Sequence, residues 1–283
     1  IEFAWFGNCG MGTFGQACIR GQTCFTPLVN EGLFPERVPM INVEGGCATA
    51  SMALNGAVKD VASGATEVSL AIGVEKTFFK GDADKTQEIF SAGIDQLDPE
   101  EWHEYYGRAA KETGKHFDPQ AGGGTVFMDT YAMQAAWHMQ KFGTTQAQIA
   151  AGASKNHWHG SMNPKAQYRF EVPVKDALKD REVSYPITRS MAAPIGDGAA
   201  AAILVSEDVV KRQPPEVRER AIKIRGSVLS GGKYRDPTEP GLSRIAAQKA
   251  YAKSGLTAAD VDMIELHDAT SFCEIFQLEM LGF

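Results

Sequence analysis

The chain has 283 residues, of which 43% are hydrophobic, 22% charged and 9% aromatic, and its formal net charge is −7. That balance excludes intrinsic disorder, collagen-like repeats and low-complexity scaffolds, and leaves enough apolar content to bury a sizeable core in one or two domains. Gly, Asp or Lys interrupts every apolar run before it reaches bilayer length, and no Lys/Arg stripe forms, so neither a membrane span nor a nucleic-acid partner is expected.

Residues 1–6 read as a strand entering a loop with Gly7, Gly10, Gly12 and Gly15, followed by a helix-like stretch and a second strand over 38–43. After Gly45-Gly46 comes a long helical pattern, with Leu54, Ala57, Val58 and Val61 at i, i+3, i+4 and i+7, that closes at Gly64. Its Ala, Ser and Gly content predicts close backbone approach on several sides. A third strand over 67–73 follows at once, and strand, helix and strand in this order predict an α/β crossover.

From residue 77 to 185 charge rises, Trp102, Tyr105 and Tyr106 cluster, and Gly122-Gly123-Gly124 punctuates the stretch. It reads as an insertion over the sheet, helical around 132–139 and 145–154. A tight turn at Gly196-Asp197-Gly198 leads into a strand over 199–205, and Pro214-Pro215 marks a linker. Then come a strand over 221–229, a helix over 243–254 and an alternating strand over 261–266. A capping box from Ser271 to Glu274 starts the last helix.

Five cysteines, Cys9, Cys18, Cys24, Cys47 and Cys273, make neither a metal-type pair nor a disulfide framework, so the expected setting is reducing and cytoplasmic. Cys47, between a strand and a small-residue helix, reads either as a structural cysteine or as a nucleophile. On the second reading, helix-start N–H groups favour the thiolate and lower its pKa. His267, where a strand meets a loop, is either a structural histidine or a partner in proton transfer or oxyanion stabilisation. Lys155-Asn156-His157-Trp158-His159 reads as a polar turn after a helix, either plainly solvated or holding a phosphate or pantetheine group through Lys155 and His157. His157 and His159 are not at zinc spacing with the cysteines, so no metal is expected. Trp102, Tyr105 and Tyr106 read as core of an inserted helix or as the wall of an apolar acyl pocket.

Taken together, Asn42-Val43-Glu44-Gly45-Gly46-Cys47-Ala48-Thr49, Gly73-Val74-Glu75-Lys76, Lys155-Asn156-His157, Asn163-Pro164, Gly196-Asp197-Gly198-Ala199 and His267-Asp268-Ala269 resemble the thiolase superfamily. The His-Asp-Ala motif resembles its sterol-carrier-type members. The resemblance implies a five-layered α-β-α-β-α fold of two similar halves with an inserted loop domain. On it, residues 1–76 and 186–213 form the first half, 77–185 the insertion and 214–283 an incomplete second half.

It further implies acyl transfer, in which Cys47 attacks a 3-oxoacyl-CoA and the acyl group passes to CoA, or the reverse Claisen condensation. His267 and the N–H of Cys47 fall on oxyanion-hole positions. Coenzyme A is then a substrate and no bound cofactor is expected. The acidic, aromatic insertion resembles that of thiolases for aromatic or branched acyl-CoAs such as 2-benzoylsuccinyl-CoA. A homodimer or dimer of dimers, and a separate zinc-ribbon/OB-fold partner protein, are the implied assemblies.

Thr49, Ala50 and Thr270 depart from the family pattern. Its second histidine, in Gly-His-Pro, and second cysteine, in Cys-x-Gly, do not occur before Phe283, so the chain is expected to be the visible portion of a longer thiolase. A non-catalytic thiolase-like subunit that binds acyl-CoA or lipid is the alternative. A β-ketoacyl synthase relative is disfavoured by His267-Asp268-Ala269.

Overall fold

The computed structural model describes residues 1–115, 117, 126–236 and 238–283; the Gly122-Gly123-Gly124 punctuation lies outside them. In chain order come β1 (Phe3–Gly7), α1 (Arg20–Asn30), β2 (Met40–Val43), α2 (Thr49–Ala62), β3 (Val68–Glu75), α3 (Ala83–Ser91), α4 (Pro99–Thr113), α5 (Val126–Phe142), α6 (Gln146–Met162) and α7 (Val174–Ala177). After them follow β4 (Glu182–Ser184), β5 (Ile187–Thr188), β6 (Gly198–Val205), α8 (Glu207–Lys211), α9 (Pro215–Arg218), α10 (Leu242–Ser254) and α11 (Ser271–Leu281). The chain divides into two compact units, Ile1–Asp82 with Ile195–Leu229 and Ala83–Pro194 with Ser230–Phe283.

The first unit is built on a four-stranded sheet in the order β2-β1-β3-β6. β1 pairs in parallel with both β2 and β3, so Phe6 sits beside Asn42 on one side and Ile72 on the other, while β6 runs antiparallel to β3. Parallel neighbours require a crossover, and α2 supplies it between β2 and β3. Its apolar stripe, fully buried at Ala53 and Ala57 with Leu54, Val58 and Val61 packed around, meets Trp5, Ala71 and Leu204. Trp5 Nε1 and Ser69 Oγ both donate to Asp60 Oδ2, at 2.7 and 3.1 Å, tying the helix to β1 and β3.

Three glycines set how closely this helix lies. A Cβ on Gly56 would run into the Trp5 indole, one on Gly73 would come within 2.5 Å of Ala50 Cβ, and one on Gly7 within 3.0 Å of Thr49 Cγ2. Gly64, at φ +74°, lies just past the helix end, where only glycine is at ease.

At Gly196-Asp197-Gly198 the structure shows more than a turn. The Asp197 carboxylate accepts from Lys76 Nζ at 2.8 Å and from the N–H groups of Thr77 and Phe78, both at 2.9 Å, clamping the segment that leaves β3.

In the second unit the insertion is helical as expected, but α6 runs on to Met162. It therefore absorbs Lys155 to His159, which correct from a polar turn to part of a helix. The reciprocal Thr145/Gln148 capping box opens this helix. Its buried face, Ile149, Ala150 and Ala153, joins Ala132, Ala135, Ile187, Met191 and Phe272 in one core. Trp102 is buried, in keeping with the core reading of α4.

Three other expectations are corrected. Residues 221–229 and 261–266 are not strands: neither segment takes part in a ladder among the described residues, and Ile222 and Met263 face solvent. Strand-like alternation alone does not make a strand when backbone groups have no partner. The Ser271/Glu274 capping box does not form either. Thr270 is the N-cap, Ser271 Oγ is buried without a partner, and the Glu274 carboxylate is turned toward α6.

Gly56 and Gly107 both lie inside helices, yet a Cβ at Gly107 would meet nothing within 4 Å. Gly107→Ala should therefore gain up to about 1 kcal/mol from helix propensity, whereas Gly56→Leu should lose about 1–3 kcal/mol by overpacking against Trp5. Urea unfolding of the two variants should show these opposite signs. The clamp on Asp197 holds its pKa down to about 2, chiefly through Lys76 and the Phe78 N–H. A carboxylate depressed when folded stabilises the fold above its unfolded pKa, and this contribution is lost as pH falls through about 2. A carboxyl ¹³C titration should find Asp197 ionised to about that pH, and Lys76→Met should move the midpoint up.

Candidate active site

Cys47 belongs to the first unit. It lies just beyond the carboxyl end of β2, in a 3₁₀ turn, Gly46–Ala48, that feeds α2. Ligands of open α/β sheets gather at this edge. The turn is built by Thr49: its hydroxyl donates to Gly46 O at 2.7 Å and accepts from the Gly45 N–H at 2.9 Å. Gly46 takes φ +57°, which glycine adopts without strain.

A second thiol, on the loop after β1, lies against the same turn. Cys9 Sγ is 2.8 Å from Thr49 Oγ1 and 3.4 Å from Gly46 O. The loop carrying Cys9 is pinned by Glu75 at the end of β3. Oε2 accepts the Cys9 N–H at 2.8 Å, and Oε1 accepts the Gly10 N–H at 3.0 Å and Asn8 Nδ2 at 2.9 Å.

The lowered pKa expected for Cys47 is corrected. Desolvation pushes the thiol up, Cys9 adds to the rise, and only the backbone N–H of Cys47 itself opposes them. The residue is exposed at the surface, yet the protein crowds its sulfur. Cys47 stands one residue before the α2 N-cap, Ala48.

His267, Lys155 and His157 belong to the second unit, where Asn156 is the organising residue. Its Nδ2 donates to Asp268 Oδ2 at 2.8 Å and to Glu274 Oε2 at 3.2 Å, one for each of the amide's two hydrogens. Lys155 Nζ pairs with Glu274 Oε1 at 2.6 Å. These bonds hold the His267-Asp268 segment against α6, and the Ala193 N–H, donating to Ala269 O at 3.0 Å, fixes its other side. His267 itself is exposed. Burial raises the Asp268 pKa and Glu274 adds to it, while His267 and Lys155 pull it down.

Lys155 thus pairs with a carboxylate while its side chain stays about half-exposed. His157 packs between aromatic rings, stacked on Tyr168 at 6.0 Å and 10° and tilted on Phe170 at 5.2 Å, with Nδ1 buried and unpartnered. Among the described residues no group of three or more His, Cys, Asp or Glu is placed to hold a metal, and no helix is long and apolar enough to cross a membrane.

Cys9, Glu75 and Asn156 have no functional role in the sequence reading, and Glu274 has only that of a capping partner. Glu75 and Asn156 stand inside motifs that carry the family resemblance, but no spacing rule joins Glu75 to a loop 65 residues upstream.

The thiolase N-terminal domain family matches residues 6–185, and the thiolase C-terminal domain-like family matches 230–283. The benzoylsuccinyl-CoA thiolase subunit BbsB of Thauera aromatica is 30% identical, with all of this chain aligned to 65% of that protein. An acetyl-CoA acetyltransferase of Methanothermobacter thermautotrophicus is 32% identical over all of this chain and 67% of its own length. Sterol carrier protein 2 of Homo sapiens is 33% identical over 94% of this chain and 48% of its own length. The chain thus spans about two thirds, or less, of the length of these relatives.

Among solved structures, the Ltp2-ChsH2(DUF35) aldolase superposes with a TM-score of 0.66 at 21% identity, over 90% of this chain and 62% of that one. The dimeric peroxisomal thiolase of Saccharomyces cerevisiae gives 0.61 at 18%, over 100% of this chain and 70% of that one. At such identities these two likenesses speak to the fold alone. The four-stranded mixed sheet with its crossover helix is a thiolase fold, and the chain belongs to the thiolase family.

Proposed function

We propose that the protein is an acyl-CoA C-acyltransferase that cleaves a 3-oxoacyl-CoA with coenzyme A, or runs the reverse condensation, through an acyl thioester on Cys47. The observation that carries this reading is the Cys47 turn, a cysteine at the carboxyl edge of a parallel strand pair, braced by Thr49 and a Glu75-pinned loop. Sγ adds to the 3-oxo carbon and the C2–C3 bond breaks. Its electron pair stays on C2 of the fragment that keeps the original CoA thioester, which departs as an enolate and takes up a proton, leaving the shortened acyl group on Cys47. The sulfur of CoA then displaces Cys47 from the acyl carbon. Dividing the transfer into a carbon–carbon cleavage that forms a thioester on Cys47 and a thioester exchange that releases it suits a cysteine nucleophile.

His267, at the exposed end of the loop that Asn156 and Asp268 hold, is proposed to donate to the thioester oxygen. The Cys47 N–H is proposed as a second oxyanion donor. Lys155, half-exposed beside Glu274, and His157 next to it on α6 are proposed to meet the CoA moiety. An aromatic or branched acyl group such as 2-benzoylsuccinyl fits the aromatic character of the insertion and the similarity to BbsB.

The open edge of β2 supports a homodimer or dimer of dimers through added strand pairing. A separate zinc-ribbon/OB-fold protein, in a cytoplasmic setting, completes the proposed assembly; the superposed aldolase, which joins Ltp2 to ChsH2(DUF35), supports a two-protein arrangement.

The raised Cys47 pKa favours a second reading, a thiolase-like subunit that binds acyl-CoA without turnover. A thiolysis assay separates the two. With catalysis by Cys47, the rate should climb with pH through neutrality, since raising the pH enlarges a thiolate fraction that burial keeps small. Cys47→Ala should abolish turnover while leaving acyl-CoA binding within about threefold, a small change on the affinity scale. Turnover retained by Cys47→Ala would overturn the proposed mechanism.

A further inference from the structure

The second unit holds a cavity of about 440 Å³, within the range of roughly 300–1,000 Å³ typical of small-molecule sites. Met133, Trp137, Phe272 and Phe276 line it as an apolar body, with the rings of Tyr105 and Tyr106 beside them. His138 also borders it but has no free nitrogen to offer. Nδ1 is 2.9 Å from Thr144 Oγ1, and Nε2 is 3.0 Å from Glu279 Oε2. Burial pushes the Tyr106 phenol up to about 12, so it remains a neutral donor.

Two cations border this space. Lys233 is already paired with Glu239 at 2.8 Å. Arg235 is different: among the described residues it makes no ion pair, and its Nε is buried without an acceptor. That Nε is closed off by the protein, so an anionic acceptor in the cavity would meet the terminal guanidinium nitrogens, whose charge strengthens such a bond.

We infer that this cavity is a binding site for an aryl-alkyl monocarboxylate, its ring among Trp137, Phe272 and Met133 and its carboxylate on Arg235. A polyanion such as a pyrophosphate is disfavoured, because the adjoining hollow that shares Arg235 also presents Glu112, Asp236 and Glu239. All of these residues lie within one compact unit, so the inference stands apart from the Cys47 chemistry and its test needs no turnover.

Titration calorimetry of the full chain with 4-phenylbutyrate, its uncharged amide and butyrate tests the assignment. The acid should bind saturably with Kd of about 1 mM or tighter, as its size allows. Its amide and the ringless acid should each bind at least about tenfold more weakly, the amide for want of one charge-assisted hydrogen bond. Arg235→Gln should erase the preference for acid over amide while leaving amide binding in place. No saturable binding of the acid, or equal affinity for acid and amide in the unmodified chain, overturns the inference without any variant having to fold. A preference that survives in Arg235→Gln also overturns it.

Discussion

Helix α2 lies against β1 and β3 closer than side chains ordinarily permit, and much of the first unit follows from that approach. Gly7, Gly56 and Gly73 stand where a Cβ would meet Thr49, the Trp5 ring or Ala50. With the helix seated this close, the connection from β2 is short and must turn tightly, which Gly46 at φ +57° allows. Cys47 is therefore delivered to the carboxyl edge of the parallel strands by backbone packing, and Thr49, the first residue of the helix, ties the turn down.

In both units burial disfavours the charged form of an acid at the candidate site. Around Cys47 burial disfavours the thiolate, and a second thiol nearby, Cys9, adds to this. Around Asp268 two carboxylates share one amide, and Lys155 compensates one of them. Such a cluster is worth more as a device for fixing a loop than as net stability, because desolvating charges costs about what their pairing returns.

The crossover helix was legible because its signal is local: period-3.6 apolar residues, glycine at the close, small residues throughout. Strand β3 and the helical insertion were legible for the same reason. The segments over 221–229 and 261–266 misled, since their alternation says which faces are apolar and nothing of whether a neighbouring strand exists to pair with. Lys155 to His159 were read as a turn from their polarity. In fact they form the polar last turns of α6, with Asn156 turned toward Asp268 and Glu274. The nucleophile candidate was found from strand, glycines and helix, but its pKa was not. Its direction depends on burial and on the neighbouring Cys9, neither of which a local sequence pattern reports.

Whether Cys47 carries the acyl group is tested most directly by rapid mixing with radiolabelled acyl-CoA, acid quenching and peptide mapping. Label is predicted on the peptide containing Cys47, lost in Cys47→Ala and discharged by added CoA. Label on Cys9, Cys18 or Cys24 instead, or label that CoA does not remove, would contradict the proposed mechanism.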